Sequence, residues 1–212
     1  MKKTVLSKGD FMKRLVMEFV GTFFLAAIVA FTGHPLAIGM LLMVMVYCGG
    51  HISGGHYNPA VSLTVFLRGL ISASEAGLYM LAQILGALAA AVFFNYITTT
   101  PFITASHFAS LGIEKVFFVE AVFTIILCLT VLVVATTHYI PHNSVFGIAI
   151  GGALLCMAFV GGIFNPAIAL GSALVEHWHS GIAVSKDILV YIAGPLCGSA
   201  AAVGLFNYFE KP

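Results

Sequence analysis

Charged side chains are scarce in this sequence, and their scarcity decides the class of protein. Asp, Glu, Lys and Arg make up only 8% of the 212 residues, whereas soluble domains carry about 25% charged residues. Hydrophobic residues make up 60% of the chain. A soluble fold of this size cannot hide them all, because roughly half of the surface of a small globule faces water. The sequence therefore predicts a protein whose solvent is the lipid bilayer.

The small and balanced charge also excludes other classes of protein. The net charge of +1 provides no field that would attract nucleic acid. The four cysteines lie far apart in apolar stretches, without the spacing of metal ligands. The sequence contains no evident nucleophile–base set and no phosphate-binding loop. We therefore predict no enzyme activity, no cofactor, no metal site and no nucleic-acid partner.

Long apolar runs predict an all-α membrane protein that forms one domain over residues 1–212. A membrane-spanning helix needs about 20 mostly apolar residues. Six runs satisfy this requirement approximately, at 13–33, 35–50, 74–96, 116–137, 144–160 and 187–209. Two further apolar stretches, 58–67 and 165–175, are too short to cross and begin with Asn-Pro. We predict that these two stretches are re-entrant half-helices.

The chain contains an internal repeat, with one copy at about 11–97 and the other at about 114–209. The matched pairs are Glu18 and Glu120, Asn58 and Asn165, and Tyr79 and Tyr191, at offsets of 102, 107 and 112 residues. Such ordered similarity indicates a duplicated unit. Because each copy has three crossings, the second copy starts on the opposite side of the membrane. The repeats are therefore predicted to be inverted, with the two half-helices meeting near the middle.

The distribution of basic residues predicts the orientation in the membrane. Cytoplasmic loops carry an excess of Lys and Arg. With the N-terminus inside, the inner side holds Lys2, Lys3, Lys8, Lys13, Arg14, Arg68 and Lys211, and the outer side holds Lys115 and Lys186. We therefore expect both termini in the cytoplasm and the protein in the cell membrane, either the plasma membrane or a bacterial inner membrane.

Each Asn-Pro-Ala motif has the chemistry of a helix start, at Asn58, Pro59 and Ala60 and again at Asn165, Pro166 and Ala167. Asn caps helices and Pro is favoured at the first helical position. Two half-helix N-termini facing each other bring about +0.5 charge each, which repels a cation about 4 Å away by roughly 4 kcal/mol at an effective dielectric constant of 20. A neutral molecule is not repelled in this way. The carbonyls expected to accept hydrogen bonds along the path are those of Gly54, Gly55, His56, Gly161 and Ile163.

The segments 50–63 (GHISGGHYNPAVSL) and 162–167 (GIFNPA) resemble the paired signature of the aquaporin, or major intrinsic protein, family. Glu18, Glu120 and Gln83 also fall where that family would place them. The resemblance covers nearly the whole chain. It implies six tilted helices with two half-helices, a pore in each subunit and a homotetramer.

The same resemblance places four residues at a narrow selectivity filter, namely Ile38, Ala153, Gly162 and Ile168. The family nearly always has arginine directly after the second Asn-Pro-Ala motif, where this chain has Ile168. Arginine would bring five donors and a fixed charge, and isoleucine brings neither. We therefore expect a wide, apolar filter. The predicted function is a passive channel for water and small uncharged solutes, such as glycerol, urea-like amides or neutral metalloid hydroxides such as arsenite.

Two alternatives remain open from the sequence. A water-selective aquaporin would have the same fold with a tighter filter. An ion-coupled secondary transporter is less favoured, although inverted repeats and broken helices also describe that class. A transporter could use Glu18 or Glu120 as a relay, since intramembrane carboxylates are functional candidates. Their symmetric duplication favours a structural role, in which each accepts hydrogen bonds from the backbone of a re-entrant loop.

Overall fold

A computed structural model describes residues 8–100, 102, 112–140, 143–180 and 187–210. Within these ranges the secondary structure is entirely helical. The eight helices are α1 (Lys8–Thr32), α2 (Pro35–Gly49), α3 (Pro59–Leu67), α4 (Ala73–Thr98), α5 (Ile113–Thr136), α6 (Phe146–Val160), α7 (Pro166–Ser180) and α8 (Ile188–Phe209). The predicted all-α fold with two half-helices is therefore confirmed.

Length and position in the chain separate the eight helices into three kinds. Helices α1, α4, α5 and α8 have 22 to 26 residues and are apolar and long enough to cross a bilayer. Helices α2 and α6 have 15 residues each, or about 22 Å at 1.5 Å per residue, which is less than a full hydrocarbon core. Both agree with the predicted runs to within two residues, and each passes at its C-terminal end into a re-entrant segment, residues 50–58 after α2 and 161–165 after α6. Half-helix α3 has nine residues, and α7 continues to Ser180, beyond the predicted end at 175.

The distribution of apolar and charged side chains is the reverse of that in a soluble protein. Large apolar side chains such as Phe118, Ile148 and Leu189 are more than half exposed. Glu18 and Glu120, in contrast, are completely buried. Exposed apolar surface of this extent needs lipid around it, so the protein is an integral membrane protein.

The two repeats meet through a reciprocal glycine contact where α2 crosses α6. Gly39 and Gly151 meet at this crossing, and a Cβ atom on Gly39 would lie 2.8 Å from the carbonyl oxygen of Gly151. A Cβ atom on Gly151 would lie 2.6 Å from the carbonyl oxygen of Gly39. Small residues let helix backbones approach closely in lipid. This contact constrains the rotation of α2 and α6 about their axes, and so which of their side chains point toward the interior.

The same close packing recurs between the long helices of each repeat. In the first repeat, a Cβ atom on Gly86 of α4 would collide with the carbonyl oxygen of Phe19 on α1. In the second repeat, Gly198 of α8 meets the carbonyl oxygen of Ala121 on α5 in the same way. Each repeat is therefore built on one tight pair of long helices. The half-helices α3 and α7 pack between these pairs.

Four of the nine basic residues used to predict the orientation lie outside the described residues, namely Lys2, Lys3, Lys186 and Lys211. The placement of the termini therefore stays a prediction from the sequence.

We expect Gly86→Ala to destabilise the protein by about 1–3 kcal/mol, because the added methyl group forces α1 and α4 apart. Gly77→Ala on the same helix is the matched control, since a Cβ atom there meets nothing within 4 Å. The midpoint of unfolding in detergent, titrated with SDS, measures both variants. Equal midpoints for the two variants would show that the helix pair does not depend on this contact.

Candidate functional site

The two asparagines of the repeated motif cap the two half-helices. Oδ1 of Asn58 accepts a hydrogen bond from the backbone N–H of Ala60 at 2.9 Å. Oδ1 of Asn165 accepts one from the N–H of Ala167 at 3.1 Å. Each cap satisfies a donor that an uncapped helix N-terminus would leave unpaired at this depth. Both asparagines are almost fully buried, so the half-helices begin inside the protein.

Each asparagine also binds the opposite half of the molecule. Nδ2 of Asn58 donates to the carbonyl oxygen of Phe164 at 2.9 Å, and Nδ2 of Asn165 donates to that of Tyr57 at 3.0 Å. Tyr57 and Phe164 have left-handed φ angles of 51° and 54°. This backbone conformation is uncommon for residues other than glycine, and here it occurs at both repeat-related positions. The reciprocal bonds hold the half-helices end to end, and each Nδ2 keeps one N–H for another partner.

A buried carboxylate supports the first re-entrant segment. Oε1 of Glu18 accepts from Ser53 Oγ at 2.6 Å and from the N–H of His56 at 3.0 Å. Oε2 accepts from the N–H of Tyr57 and from Nε2 of Gln83, both at 2.7 Å. Four donors converge on this one side chain. They give the carboxylate the partners that it needs away from water.

Glu120 occupies the same place in the second repeat. Its two carboxylate oxygens accept from the N–H groups of Ile163 and Phe164, each at 2.7 Å. These are the counterparts of the backbone bonds that Glu18 makes to the first segment. The side-chain donors around Glu18 have no equivalent hydrogen bond to Glu120 in the described part of the chain. The first re-entrant segment is thus held by more polar contacts than the second.

A cavity of about 250 Å³ lies beside the two asparagines. Repeat-related residues line it in pairs, among them Ile38 and Ile150, Val61 and Ile168, and Asn58 and Asn165. The other lining residues on α1, α2, α5 and α6 are apolar. Among the described residues of the lining, only His56, Asn58 and Asn165 carry polar side chains. The site is therefore an apolar conduit with its few hydrogen-bonding side chains at and near the asparagine pair.

Three of the four expected filter residues lie on this lining, namely Ile38, Gly162 and Ile168. Ala153 is buried on α6, which contributes Ile150, Leu154 and Ala158 to the lining. Ala153 lies about 60° around the helix from Ile150, and its role in the filter stays a prediction.

Some of the residues whose carbonyls were expected along the path, and of the Asn-Pro-Ala motifs, line the cavity. The others are not on its lining. The lining includes Gly55, His56, Gly161 and Ile163 but not Gly54. Gly54 takes a φ angle of 96° and its N–H donates to the carbonyl oxygen of Gly50, so the acceptor role of its own carbonyl stays a prediction. Four motif residues are buried behind the asparagines, namely Pro59, Ala60, Pro166 and Ala167.

Phe102 is a lining residue that sequence reasoning missed. It belongs to the connection between α4 and α5, is only 4% exposed, and faces the cavity. Its ring packs against Phe94, with centroids 5.9 Å apart. No periodic pattern surrounds Phe102 in the sequence, so only the packing of its ring identifies it. It adds aromatic bulk that the four expected filter positions lack.

Two half-helices that meet at an apolar conduit inside a helical bundle define a membrane channel. Comparisons with known proteins agree. A family model described as "Major intrinsic protein" matches residues 5–207, so the chain belongs to the major intrinsic protein family, whose members are channels and not enzymes.

Individual relatives cover nearly the whole chain. "Probable aquaporin NIP-type" of Nicotiana alata is 30% identical, over 94% of this chain and 78% of its own length. "Glycerol uptake facilitator protein-like 6" of Lactiplantibacillus plantarum is 33% identical, over 90% of this chain and 95% of its own. The X-ray structure of the aquaglyceroporin from Plasmodium falciparum shares the fold, with a TM-score of 0.78 at 22% identity over 93% of this chain and 96% of its own.

We expect Glu18→Gln to destabilise the protein by about 3 kcal/mol, because either placement of the amide leaves two of the four donors facing an N–H group. Glu120→Gln is the matched comparison and should cost about half as much, since it leaves only one donor unpaired. SDS titration in detergent measures both. Equal losses would contradict the difference in polar contacts between the two re-entrant segments.

Proposed function

We propose that this protein is a passive channel for water and for small uncharged solutes larger than water. The solute classes are polyols such as glycerol, urea-like amides, and neutral metalloid hydroxides such as arsenite. One observation supports this proposal above the others. Ile168 directly follows the second motif and lies on the lining, where an arginine would narrow and charge the conduit.

The electrostatics of the conduit favour neutral solutes. No described residue of the lining carries a charged side chain, so nothing there compensates an ion for its lost water. The N-termini of α3 and α7 meet at the asparagine pair, and their dipoles add a positive potential. Cations are repelled by this potential, and anions gain no pairing side chain. Neutral molecules can exchange hydrogen bonds with the remaining N–H of each asparagine and with lining carbonyls.

The expected filter residues on the lining favour solutes with apolar surface. Ile38 and Ile168 present methyl groups, and Gly162 has no side chain to narrow the path. The carbon atoms of a solute can contact the two isoleucines while its polar groups form hydrogen bonds with carbonyl groups of the lining. A filter of this kind discriminates weakly by size, because apolar contacts are not directional.

The names of relatives agree with this solute class. One of them is called a glycerol uptake facilitator-like protein and another a probable aquaporin. A water-selective channel is the alternative, and it would require a tighter filter than these residues form. An ion-coupled transporter is disfavoured because Glu18 and Glu120 bind the backbone of the re-entrant segments and neither lies on the lining.

We also propose the assembly and orientation that the sequence suggests. The family resemblance supports a homotetramer with one conduit in each subunit. The excess of basic residues on one side supports cytoplasmic termini in the plasma membrane or a bacterial inner membrane. Chemical cross-linking in vesicles and protease access to the termini test these two points.

Proteoliposomes containing the purified protein test the function directly. We expect faster swelling than in empty liposomes for water, glycerol, urea and neutral arsenite. In the same membranes, electrical recording should show no cation current above background, because roughly 4 kcal/mol of repulsion slows entry about a thousandfold. Water passage alone, with every larger solute excluded, would contradict the wide filter. A sizeable cation current would contradict the electrostatic argument.

We expect Ile168→Arg to lower glycerol permeability by about tenfold while water still passes, since the guanidinium narrows the conduit at residue 168 and adds donors. Ile168→Leu is the control, because it keeps the volume and the apolar character. Stopped-flow light scattering of proteoliposomes measures both rates. Unchanged glycerol permeability in the arginine variant would show that residue 168 does not control the path.

A further inference from the structure

Phe102 lies outside every helix, yet it is only 4% exposed and lies on the lining of the cavity. Connecting segments ordinarily run over the surface of a protein. Here the connection between α4 and α5 brings an aromatic side chain to the conduit instead. The ring therefore contributes to the cross-section of the path.

The end of α4 sets the direction in which the chain approaches Phe102. Thr99 caps the helix with a left-handed φ angle of 58°, and its N–H donates to the carbonyl oxygen of Asn95 at 2.8 Å. Oγ1 of Thr98 donates to the carbonyl oxygen of Phe94 at 2.8 Å. A left-handed residue after a helix ends it and changes the direction of the chain. Polar contacts at the helix end thus precede the inward-facing ring.

Two further rings hold the side chain of Phe102 in place. Its centroid lies 5.9 Å from that of Phe94 on α4, with the ring planes at 60°. The ring of Phe94 in turn lies 5.0 Å from that of Phe31 on α1, at 75°. Rings in such edge-to-face arrangements attract one another beyond their apolar contact. Phe102 is therefore packed against α4 and, through Phe94, against α1.

These contacts place Phe102 at one end of the conduit. Because Phe31 belongs to the last turn of α1, this is the end where α1 passes into α2. The same end of the lining carries Val29, Gly33 and Ile38. Two of these have aliphatic side chains and the third has none. Among the described lining residues at this end, Phe102 has the largest side chain.

The other phenylalanine of the described lining is placed differently. Phe164 directly precedes Asn165, and its carbonyl oxygen accepts from Asn58 at 2.9 Å. Its ring is 1% exposed and fills the space beside Gly162, where an added Cβ atom would collide with it. This ring belongs to the packing of the second re-entrant segment. It does not replace the bulk of Phe102 at the end where α1 passes into α2.

We infer that Phe102 is a specificity-determining residue, which sets the upper size limit of the solutes that pass. The inference rests on the proposed function. Ile38, Gly162 and Ile168 leave the filter wide, and the ring of Phe102 narrows the path without adding a donor or a charge. The ring resists displacement, because moving it aside would break its contact with Phe94. Three-carbon polyols pass, and five-carbon polyols are retarded.

Swelling of proteoliposomes in a series of polyols tests the inference. We expect xylitol to enter the wild-type vesicles at least about tenfold more slowly than glycerol. Phe102→Ala should raise xylitol permeability about tenfold and Phe102→Leu by less, while water permeability changes by less than about twofold. Phe209→Ala is the matched control, because it removes the same ring from a residue that is 66% exposed and lies off the lining.

The ratio of xylitol to glycerol permeability is the readout, because loss of folded protein lowers both rates by the same factor. If the wild-type protein does not pass glycerol, the proposed function fails and the inference fails with it. If glycerol passes and xylitol enters equally fast, the inference alone fails, and no variant is needed to show it. An unchanged ratio in both Phe102→Ala and Phe102→Leu would also overturn it, as would an equal rise in Phe209→Ala.

Discussion

The fold depends on a reciprocal pair of hydrogen bonds near the centre of the molecule. Asn58 and Asn165 each donate to the carbonyl oxygen that precedes the other. A helix that ends inside a bilayer exposes unpaired backbone groups, which lipid cannot satisfy. These two side chains resolve that difficulty for both half-helices at once, because each caps its own helix and binds the other segment. The same arrangement leaves one N–H on each asparagine available beside a conduit.

The non-helical backbone between α2 and α3, and between α6 and α7, also has N–H groups that need partners. Two buried carboxylates provide them. Glu18 and Glu120 accept backbone N–H groups that would otherwise have no partner. Because these carboxylates are occupied behind the lining, no residue that the structure describes along the conduit carries a charged side chain. Selection for neutral solutes and stability of the re-entrant segments thus arise from one arrangement of polar groups.

Much of the architecture could be predicted from residue patterns. The apolar runs, the repeated Asn-Pro-Ala motif and the offset between repeats predict the helices and half-helices that the structure contains. Side-chain direction was harder to predict. Which residues of α6 line the cavity depends on the rotation of that helix, which the close contact of Gly39 with Gly151 constrains. Phe102 and the bonds that join Gln83, Ser62 and His56 also depend on contacts between distant segments.

The most direct test of the central claim is an experimental structure in lipid at a resolution that shows ordered water and solute. The account predicts a continuous file of solvent that passes the Nδ2 atoms of Asn58 and Asn165, with hydrogen bonds from both. Density showing packed side chains across the conduit at the level of the two asparagines, with no room for solvent, would contradict it.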